Sequence, residues 1–439
     1  MKRILLIGNG AREHVIAETL KRSPQGCILG VFASAVNPGI KPMAASYHVT
    51  DSLLNFEALK TFASEFKPDF AFIGPDDPLG AGAADALLEV GVASVGPLKV
   101  LAQLESSKAF TRDLVKKYGI AGNPQFRVFT SEEGLREYME ELGEYVVKAD
   151  GLMGGKGVQV SGEHLKTYEE GVAFAKEGIA KFGRVVVEEK FVGEEFSLMS
   201  FVDGTHVVEM PAVQDHKRAF EGDTGPNTGG MGTYSDANGS LPFLQASDIA
   251  AAHEITVAVA KALLEETGKP YKGIMYGGFI ATKNGVKLIE YNARFGDPEA
   301  MNVLPLLKTD FVAVCEAIIA GTLDQVPVEF EQKATVVKYV VPEGYPTEPR
   351  KGEKIEVGAV PTGVRAYYAS VNQKEDGLYL SGSRAVAFVG IGESLAEAEA
   401  AAQSGVSLVT GPVFYRKDIG TEELIQKRVE HMKTLRDTL

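Results

Sequence analysis

Apolar and polar positions alternate along the chain in two distinct periods. In the first hundred residues, short apolar runs at Arg3–Ile7, Ile28–Phe32 and Phe70–Ile73 are separated by segments of helical spacing at Arg12–Lys21, Leu53–Phe66 and Ala81–Glu89. Strands alternating with helices predict a parallel, doubly wound sheet, whose ligands bind at the carboxyl ends of the strands. Gly8-Asn9-Gly10 and Gly74-Pro75-Asp76 each follow such a run. Beyond Lys108 the pattern changes. Thr130 and Glu133 have capping-box spacing ahead of a helical stripe of Leu135, Tyr138, Met139 and Leu142. Strands are expected at Tyr145–Lys148, Val158–Val160 and Val185–Glu188, giving a small α+β unit. Ser247 opens a long helix carrying Ile249, Ala252, Thr256, Val259 and Leu263 on one face. Ile274–Thr282 and Val286–Arg294 read as strands joined by Lys283-Asn284-Gly285, a turn that tolerates positive φ. Leu323–Gln332 reads as a linker before a last unit with a strand at Ala334–Val341 and a helix at Glu393–Ser404.

Composition narrows the function. The 439 residues allow about three domains at roughly 150 residues each. A net charge of −14 and a pI near 5.2 argue against a nucleic-acid coat. No apolar run is long enough to span a membrane, and the N-terminal apolar stretch reads as a first strand and turn rather than a signal peptide. Cys27 and Cys315, the only cysteines, lie too far apart in sequence for a disulfide framework or a zinc motif. Cys315 falls among Phe311, Val314, Ile318 and Ile319 at core spacing, and a reducing cytoplasm is expected.

Four stretches carry candidate chemistry. In Leu288–Arg294 the period of two puts Glu290, Asn292 and Arg294 on one face, with Ile289, Tyr291 and Ala293 on the other. Glu290 and Asn292 are hard oxygen donors suited to Mg²⁺, and Arg294 is suited to a transferring phosphoryl group. Any half-buried strand alternates in this way, so an exposed polar face remains equally open. Lys148–Gly157 holds four glycines among residues 151–157. It is not a P-loop, because no Ser or Thr follows Lys156 and strands flank it. It suits a flap over phosphates or a plain hairpin. Residues 222–232 hold five glycines and follow Gln214–Arg218, a stretch too long for a tight turn. Gly8–His14 is a glycine turn opening a helix, an anion site of low specificity; His14 reads better as a hydrogen-bonded helix residue than as a catalyst.

Together these stretches resemble the phosphoribosylamine–glycine ligases of the ATP-grasp superfamily from end to end. The resemblance rests on Gly8–His14, Gly74–Leu79, Leu104–Thr111, Val147–Val158, Val187–Glu195, Gln214–Arg218, Gly222–Tyr234 and Glu290–Glu299. Asp223–Gly232 and Arg294–Glu299 are its most specific parts. It implies an α/β and α+β multidomain fold. A Rossmann-like parallel sheet at 1–103 and a connection at 104–122 precede an ATP-grasp flap at 123–192. An ATP-grasp central domain at 193–328 and a small C-terminal α+β domain at 329–439 follow.

The implied reaction joins glycine to 5-phosphoribosylamine through glycyl phosphate with release of ADP and phosphate, the second step of de novo purine synthesis. The resemblance assigns Glu290 and Asn292 to Mg²⁺ or Mn²⁺, with Arg294 and Lys148 as catalytic groups. Lys108, Lys148, Gly154, Gly155, Lys156 and Gly157 meet ATP phosphates; Glu188, Glu189, Lys190, Phe191, Glu195 and Leu288 surround the nucleoside. Gly8, Asn9, Gly10, Arg12, Glu13 and Asp76 take the phosphoribosyl end. Asp215, Lys217, Asn227 and Asp297 bound the glycine and amine site. Ala11, Asp76 and Met153-Gly154 depart from the usual family pattern, the first two at the phosphoribosyl end. The implied protein is a cytoplasmic monomer acting on small molecules, with neither nucleic acid nor membrane as partner and with transient hand-over of the amine from the enzyme that makes it. The rivals are an ATP-grasp ligase of other substrates, a nicotinamide-dependent oxidoreductase built on Gly8–Gly10, and an inactive binding protein.

Overall fold

The apolar runs of the first hundred residues form a five-stranded parallel sheet. In chain order its strands are Lys2–Ile7, Cys27–Ala33, Ala44–Val49, Phe70–Ile73 and Ser94–Val95, and their order across the sheet is 3-2-1-4-5. This computed structural model describes residues 1–152 and 157–437. The first and fourth strands lie side by side, at the point where the strand order reverses. The Gly8–Gly10 and Gly74–Asp76 turns therefore meet at one sheet end, where such folds bind ligands. A Cβ on Gly8, at φ +112, would lie 2.7 Å from Glu13 and 3.0 Å from Pro75, so only glycine lets the turns touch.

Helix boundaries follow local chemistry. The helix expected at Ala81–Glu89 runs over Ala83–Glu89, and a separate short helix, Asp76–Ala81, precedes it, the two parted at Gly82 with φ +107. The helix expected from Leu53 begins at Phe56, because the Asn55 side chain accepts from the Ala58 amide at 3.1 Å. The Thr130–Glu133 spacing caps nothing. That helix starts at Leu135, after Gly134 in the left-handed region.

Residues Phe126–Phe129, Tyr145–Ala149, Val158–Val160 and Val185–Glu189 make a four-stranded antiparallel sheet with its own core around Val147, Val187, Leu135 and Tyr138. A second antiparallel sheet holds Gly193–Val202, Val207–Glu209, Gly273–Thr282 and Gly285–Asn292, with helix Ala246–Thr267 packed against it. The C-terminal strand Ala334–Pro342 does not stay within its own segment. It pairs with Gly232–Ser235 as well as with Val386–Gly392, so one sheet crosses the linker expected at Leu323–Gln332. The glycine-rich stretch at 222–232 is partly structured, its Thr224–Asn227 pairing with Arg218–Phe220.

The last segment packs tightly on the first. His14 is buried, its Nδ1 accepts from the Tyr368 amide at 3.0 Å, and its ring meets Tyr367 edge-on at 5.2 Å. Burial pushes its pKa down to about 4, so at neutral pH it is an uncharged acceptor. The C-terminal helix Glu422–Asp437 fastens back through His431 to Glu194 at 2.6 Å and Arg436 to Asp248 at 2.6 Å. Among the described residues no helix is long and apolar enough to cross a membrane.

Strand Val386–Gly392 lies under helix Leu395–Val406, and a Cβ on Gly390 would sit 1.9 Å from the Ala398 carbonyl oxygen. Backbone cannot give way as a side chain can. Gly390→Val is expected to lower stability by about 1–3 kcal/mol, read as a shifted urea midpoint; an unchanged midpoint contradicts this packing.

Candidate active site

A cavity of about 340 Å³ opens where the N-terminal sheet, the flap, the central sheet and the C-terminal segment meet. Its central wall is the strand Gly285–Asn292 and the residues just after it. Pairing with the neighbouring strand runs Phe279 to Leu288 and then Gly278 to Glu290, so Ile289 is an extra, bulged residue. The bulge changes which face each residue shows. Leu288, Tyr291 and Ala293 all enter the core, while Ile289, Glu290, Asn292 and Arg294 line the cavity. Strict alternation would have put Leu288 beside Glu290 and Ile289 in the core. Leu288, expected beside the nucleoside, is thus turned into the core, and Ile289 lines the cavity in its place.

The extra residue also supplies a carbonyl outside the strand ladder. The Ile289 oxygen accepts from Lys148 Nζ at 2.9 Å and from Arg112 Nη2 at 2.6 Å. Both cations share Glu188, at 2.5 Å from Lys148 and 2.7 Å from Arg112 Nε. All three side chains are buried. Burial lowers the Lys148 pKa. Burial alone would raise the Glu188 carboxyl, but Arg112 and Lys148 together hold it below its usual range.

Lys108 donates to the Gly151 carbonyl at 3.0 Å, at the root of the glycine-rich loop. Asp150 beside it accepts from Ser107 and the Ala109 amide, so the loop root is fixed to the helix Lys108–Lys117. Glu290 faces this end. Desolvation would raise its pKa, yet Lys217, Lys108, Lys148 and Arg294 keep it ionised and below its usual value. Arg294 is held by Glu105 at 2.7 Å and by Asn292 Oδ1 at 3.3 Å, and its Nε is buried without a partner among the described residues. Glu105 in turn accepts from the Ala293 amide at 2.8 Å.

The rest of the cavity is lined by Arg12, Asp76, Asp215, Lys217, Asp297, Glu299 and Arg384. Burial and the neighbouring Glu299 raise the Asp215 pKa well above the ordinary value. Glu299 accepts from the Tyr276 hydroxyl at 2.8 Å. Asp76 would be raised by burial, but Arg294 and Arg12 hold it low.

Of the residues expected from the sequence, the structure gathers Arg12, Asp76, Lys108, Lys148, Gly157, Asp215, Lys217, Glu290, Asn292, Arg294 and Asp297 around this cavity. Gly154, Gly155 and Lys156 lie outside the described residues. Others are placed elsewhere. Glu13 caps its own helix, accepting from the Gly10 amide at 2.6 Å and from Arg12 at 2.6 Å, and Gly8 and Gly10 support that turn. Asn9 accepts from Ser34. Glu188 acts through Lys148. Glu189 accepts from the Gln125 amide, and Lys190 reaches Glu144 and Glu163. Phe191 lies under Lys287, and Glu195 is exposed, 3.8 Å from Lys217. Asn227 pairs with Arg218 in the hairpin, and its neighbours Thr228 and Gly229 line the cavity instead.

Sequence reasoning gave no role to Glu105, Arg112, Tyr276, Glu299 or Arg384. Arg112 lies one helical turn beyond Lys108, a spacing that puts both on one face. Glu299 closes the quoted Arg294–Glu299 stretch. Nothing local marks Arg384.

A glycine-rich flap, a central antiparallel sheet bearing Glu290 and Asn292, and lysines converging from both define an ATP-grasp ligase. Profiles of the phosphoribosylglycinamide synthetase family match the N domain at residues 2–105, the ATP-grasp (A) domain at 106–300 and the C domain at 335–422. The chain belongs to the phosphoribosylglycinamide synthetase family. A phosphoribosylamine–glycine ligase of Methanosarcina acetivorans is 49% identical over 437 residues, covering 100% of this chain and 98% of the relative. The crystal structure of phosphoribosylamine–glycine ligase from Thermotoga maritima superposes with a TM-score of 0.80 at 30% identity, over 95% of this chain and 99% of that one. The biotin carboxylase domain of the Hydrogenobacter thermophilus 2-oxoglutarate carboxylase, solved with MgADP and bicarbonate, shares the fold at a TM-score of 0.73 and 16% identity, over 98% and 94% of the two chains.

Removing the shared carboxylate in Glu188→Gln leaves Lys148 and Arg112 facing each other. The variant is expected to lose about 3–5 kcal/mol of stability at pH 7, measured by urea unfolding. Because the folded Glu188 pKa is depressed, the full gap persists above about pH 4.3, the unfolded value, and closes as pH falls toward the lower folded one. A gap independent of pH contradicts the ion-pair assignment.

Proposed function

We propose that this protein ligates glycine to 5-phosphoribosylamine at the expense of ATP, forming glycinamide ribonucleotide, ADP and phosphate. The observation that carries the reading is the bulged strand end, where Glu290, Asn292 and Arg294 face the cavity together and Lys108, Lys148 and Lys217 surround them. A carboxylate is a poor electrophile. Transfer of the ATP γ-phosphoryl group to a glycine carboxylate oxygen expels ADP and gives glycyl phosphate. The amine nitrogen then attacks the carbonyl carbon, the bond to the phosphate oxygen breaks, and the amine loses a proton.

Phosphoryl transfer asks chiefly for positioning and charge neutralisation. Lys148 and Lys108 bind and orient the phosphates, and the hydrophobic Ile289 and Val158 exclude water beside them. Arg294, at the cavity wall, keeps its guanidinium aligned on Glu105 and supplies positive charge to offset charge developing on the transferred group. The donor set suits a hard divalent cation: an ionised carboxylate and an amide oxygen, and among the described residues no group of three or more His, Cys, Asp or Glu could hold a metal ion by itself. Glu290 and Asn292 would hold Mg²⁺ (or Mn²⁺) and leave its other positions to phosphate and water; that ion supplies neutralisation of the phosphate charge. At the other end, Arg12 and Asp76 at the strand switch point suit the phosphoribosyl group, and Asp215, Asp297 and the Thr228–Gly229 loop bound the glycine and the amine. The reading is of a cytoplasmic monomer that takes its unstable amine directly from the enzyme that produces it.

The deciding assay is ADP release from ATP with freshly made phosphoribosylamine and glycine, set against other amino acids and carboxylic acids. Glycine alone should support it; release with a different acid and none with glycine would refute the reading. Glu290→Ala should abolish metal-dependent turnover with an unchanged circular dichroism spectrum, and retained turnover would remove Glu290 from metal binding. Arg294→Lys should lower kcat by about 10²-fold or more with little change in ATP affinity, since an ammonium lacks the planar fork. Equal small losses in both would dismiss its transition-state role.

A further inference from the structure

We propose that Arg384, from the C-terminal segment, is a positioning residue that builds the acceptor wall of the cavity, the side taken by glycine and the amine of phosphoribosylamine; this rests on the reaction proposed above. Arg384 lies between the strands Gly377–Leu380 and Val386–Gly392. Its Nη1 donates to the carbonyl oxygens of Gly229 at 2.6 Å, Gly230 at 3.1 Å and Asp297 at 2.8 Å. Its Nη2 lies 3.4 Å from Asp297 Oδ1. The guanidinium stacks 4.6 Å over the Tyr339 ring, and the Tyr339 hydroxyl donates to the same Asp297 oxygen at 2.6 Å.

One planar cation thus joins two loops that are far apart in sequence. The 228–230 loop is pressed against its neighbours: a Cβ on Gly230, at φ +110, would lie 2.7 Å from Asp215 Oδ1 and 2.8 Å from Pro298. Thr228 is tied by its amide and hydroxyl to the Lys217 carbonyl. Asp215, Lys217, Thr228, Gly229 and Asp297 all line the cavity, and Arg384 is the group on which their backbone positions converge. A lysine cannot replace it, because its single nitrogen leaves nothing in the place of Nη2 at Asp297 and no planar face over the Tyr339 ring. Arg384 makes no contact with Lys108, Lys148 or Ile289 at the other end. Its removal should therefore disturb glycine and amine binding while sparing ATP.

In Arg384→Ala the KM for phosphoribosylamine is expected to rise about tenfold or more, because small misplacements of positioning groups are costly. The KM for ATP should stay within about twofold, whereas the KM for glycine, read as glycine hydroxamate formed when hydroxylamine traps glycyl phosphate without phosphoribosylamine, should rise as well, because the same loops bound the glycine. Tyr339→Phe, which leaves Arg384 in place, should show the same split more weakly, and Arg384→Lys should recover little of the loss. Hydrogen exchange followed by mass spectrometry should rise in peptides spanning 225–232 and 295–299 and stay unchanged in 104–112 and 145–150. Equal changes in all kinetic constants, or exchange that rises everywhere or nowhere, would overturn the proposal. Failure of the wild-type protein to form glycine hydroxamate would count against the proposed reaction, while the exchange pattern still decides the role of Arg384.

Discussion

Two cations and one carboxylate share a dry space between flap and central sheet, and much of the nucleotide half of the site hangs on that arrangement. Lys148 and Glu188 come from neighbouring flap strands, Arg112 from the connecting helix, and the carbonyls of Leu288 and Ile289 from the central sheet. Removing such charges from water costs several kcal/mol per ion unless donors and acceptors are satisfied. Here Glu188 serves both cations, and the surplus N–H groups go to the two carbonyls. The Ile289 carbonyl is available because the bulge takes it out of the strand ladder. The same extra residue turns Leu288 into the core and leaves Glu290 facing the cavity. A single inserted position thus sets which side chains face the cavity and anchors the lysine opposite them.

The charge of the whole protein and that of the site are separate matters. The chain carries a net −14, yet seven cationic side chains and six carboxylates line the cavity. The cations are not loose: Arg294 is held by Glu105, Lys148 by Glu188, Arg12 by Glu13, Arg384 by Asp297. Pairing keeps each guanidinium or ammonium aimed without reorganisation when a phosphate enters, which is the form of electrostatic help that works best at low dielectric.

What the sequence disclosed follows from range. Features within a turn or a strand were legible: the glycine turns after strands, the Glu290–Asn292–Arg294 row, the hairpin at Lys283–Gly285. Where a single residue breaks the local period, reading failed, as at Gly82, Gly134 and Ile289. The supporting groups were invisible for a different reason. Glu105 meets the Ala293 amide 188 residues away, and Arg112 meets Glu188 across 76; a buried arginine on a helix looks like any surface arginine until its partner is placed. Glu188 and Glu13 illustrate the converse. Their positions within motifs suggested ligand contact, while the structure uses them to hold Lys148 and the Gly8–Gly10 turn.

The two halves of the cavity are built on different principles, and this bears on how they tolerate change. The nucleotide half rests on strand backbone, whose ladder hydrogen bonds fix Lys148 and Glu290 independently of any ligand. The acceptor half rests on the segments 215–217 and 228–230, joined to each other through the Thr228 amide and the strand pairs that flank them, and on the separate loop at 296–299. Loops vary more readily than strands, so an acceptor pocket made of them needs an external tie. Arg384 supplies it from a segment more than eighty residues beyond Asp297, and the sheet that carries Gly232–Ser235 into the C-terminal segment fixes the base of the same loop. The C-terminal segment is thereby part of the cavity's framework: it fixes the shape of the loop-built wall, while the flap and central sheet hold the lysines and Glu290 in place.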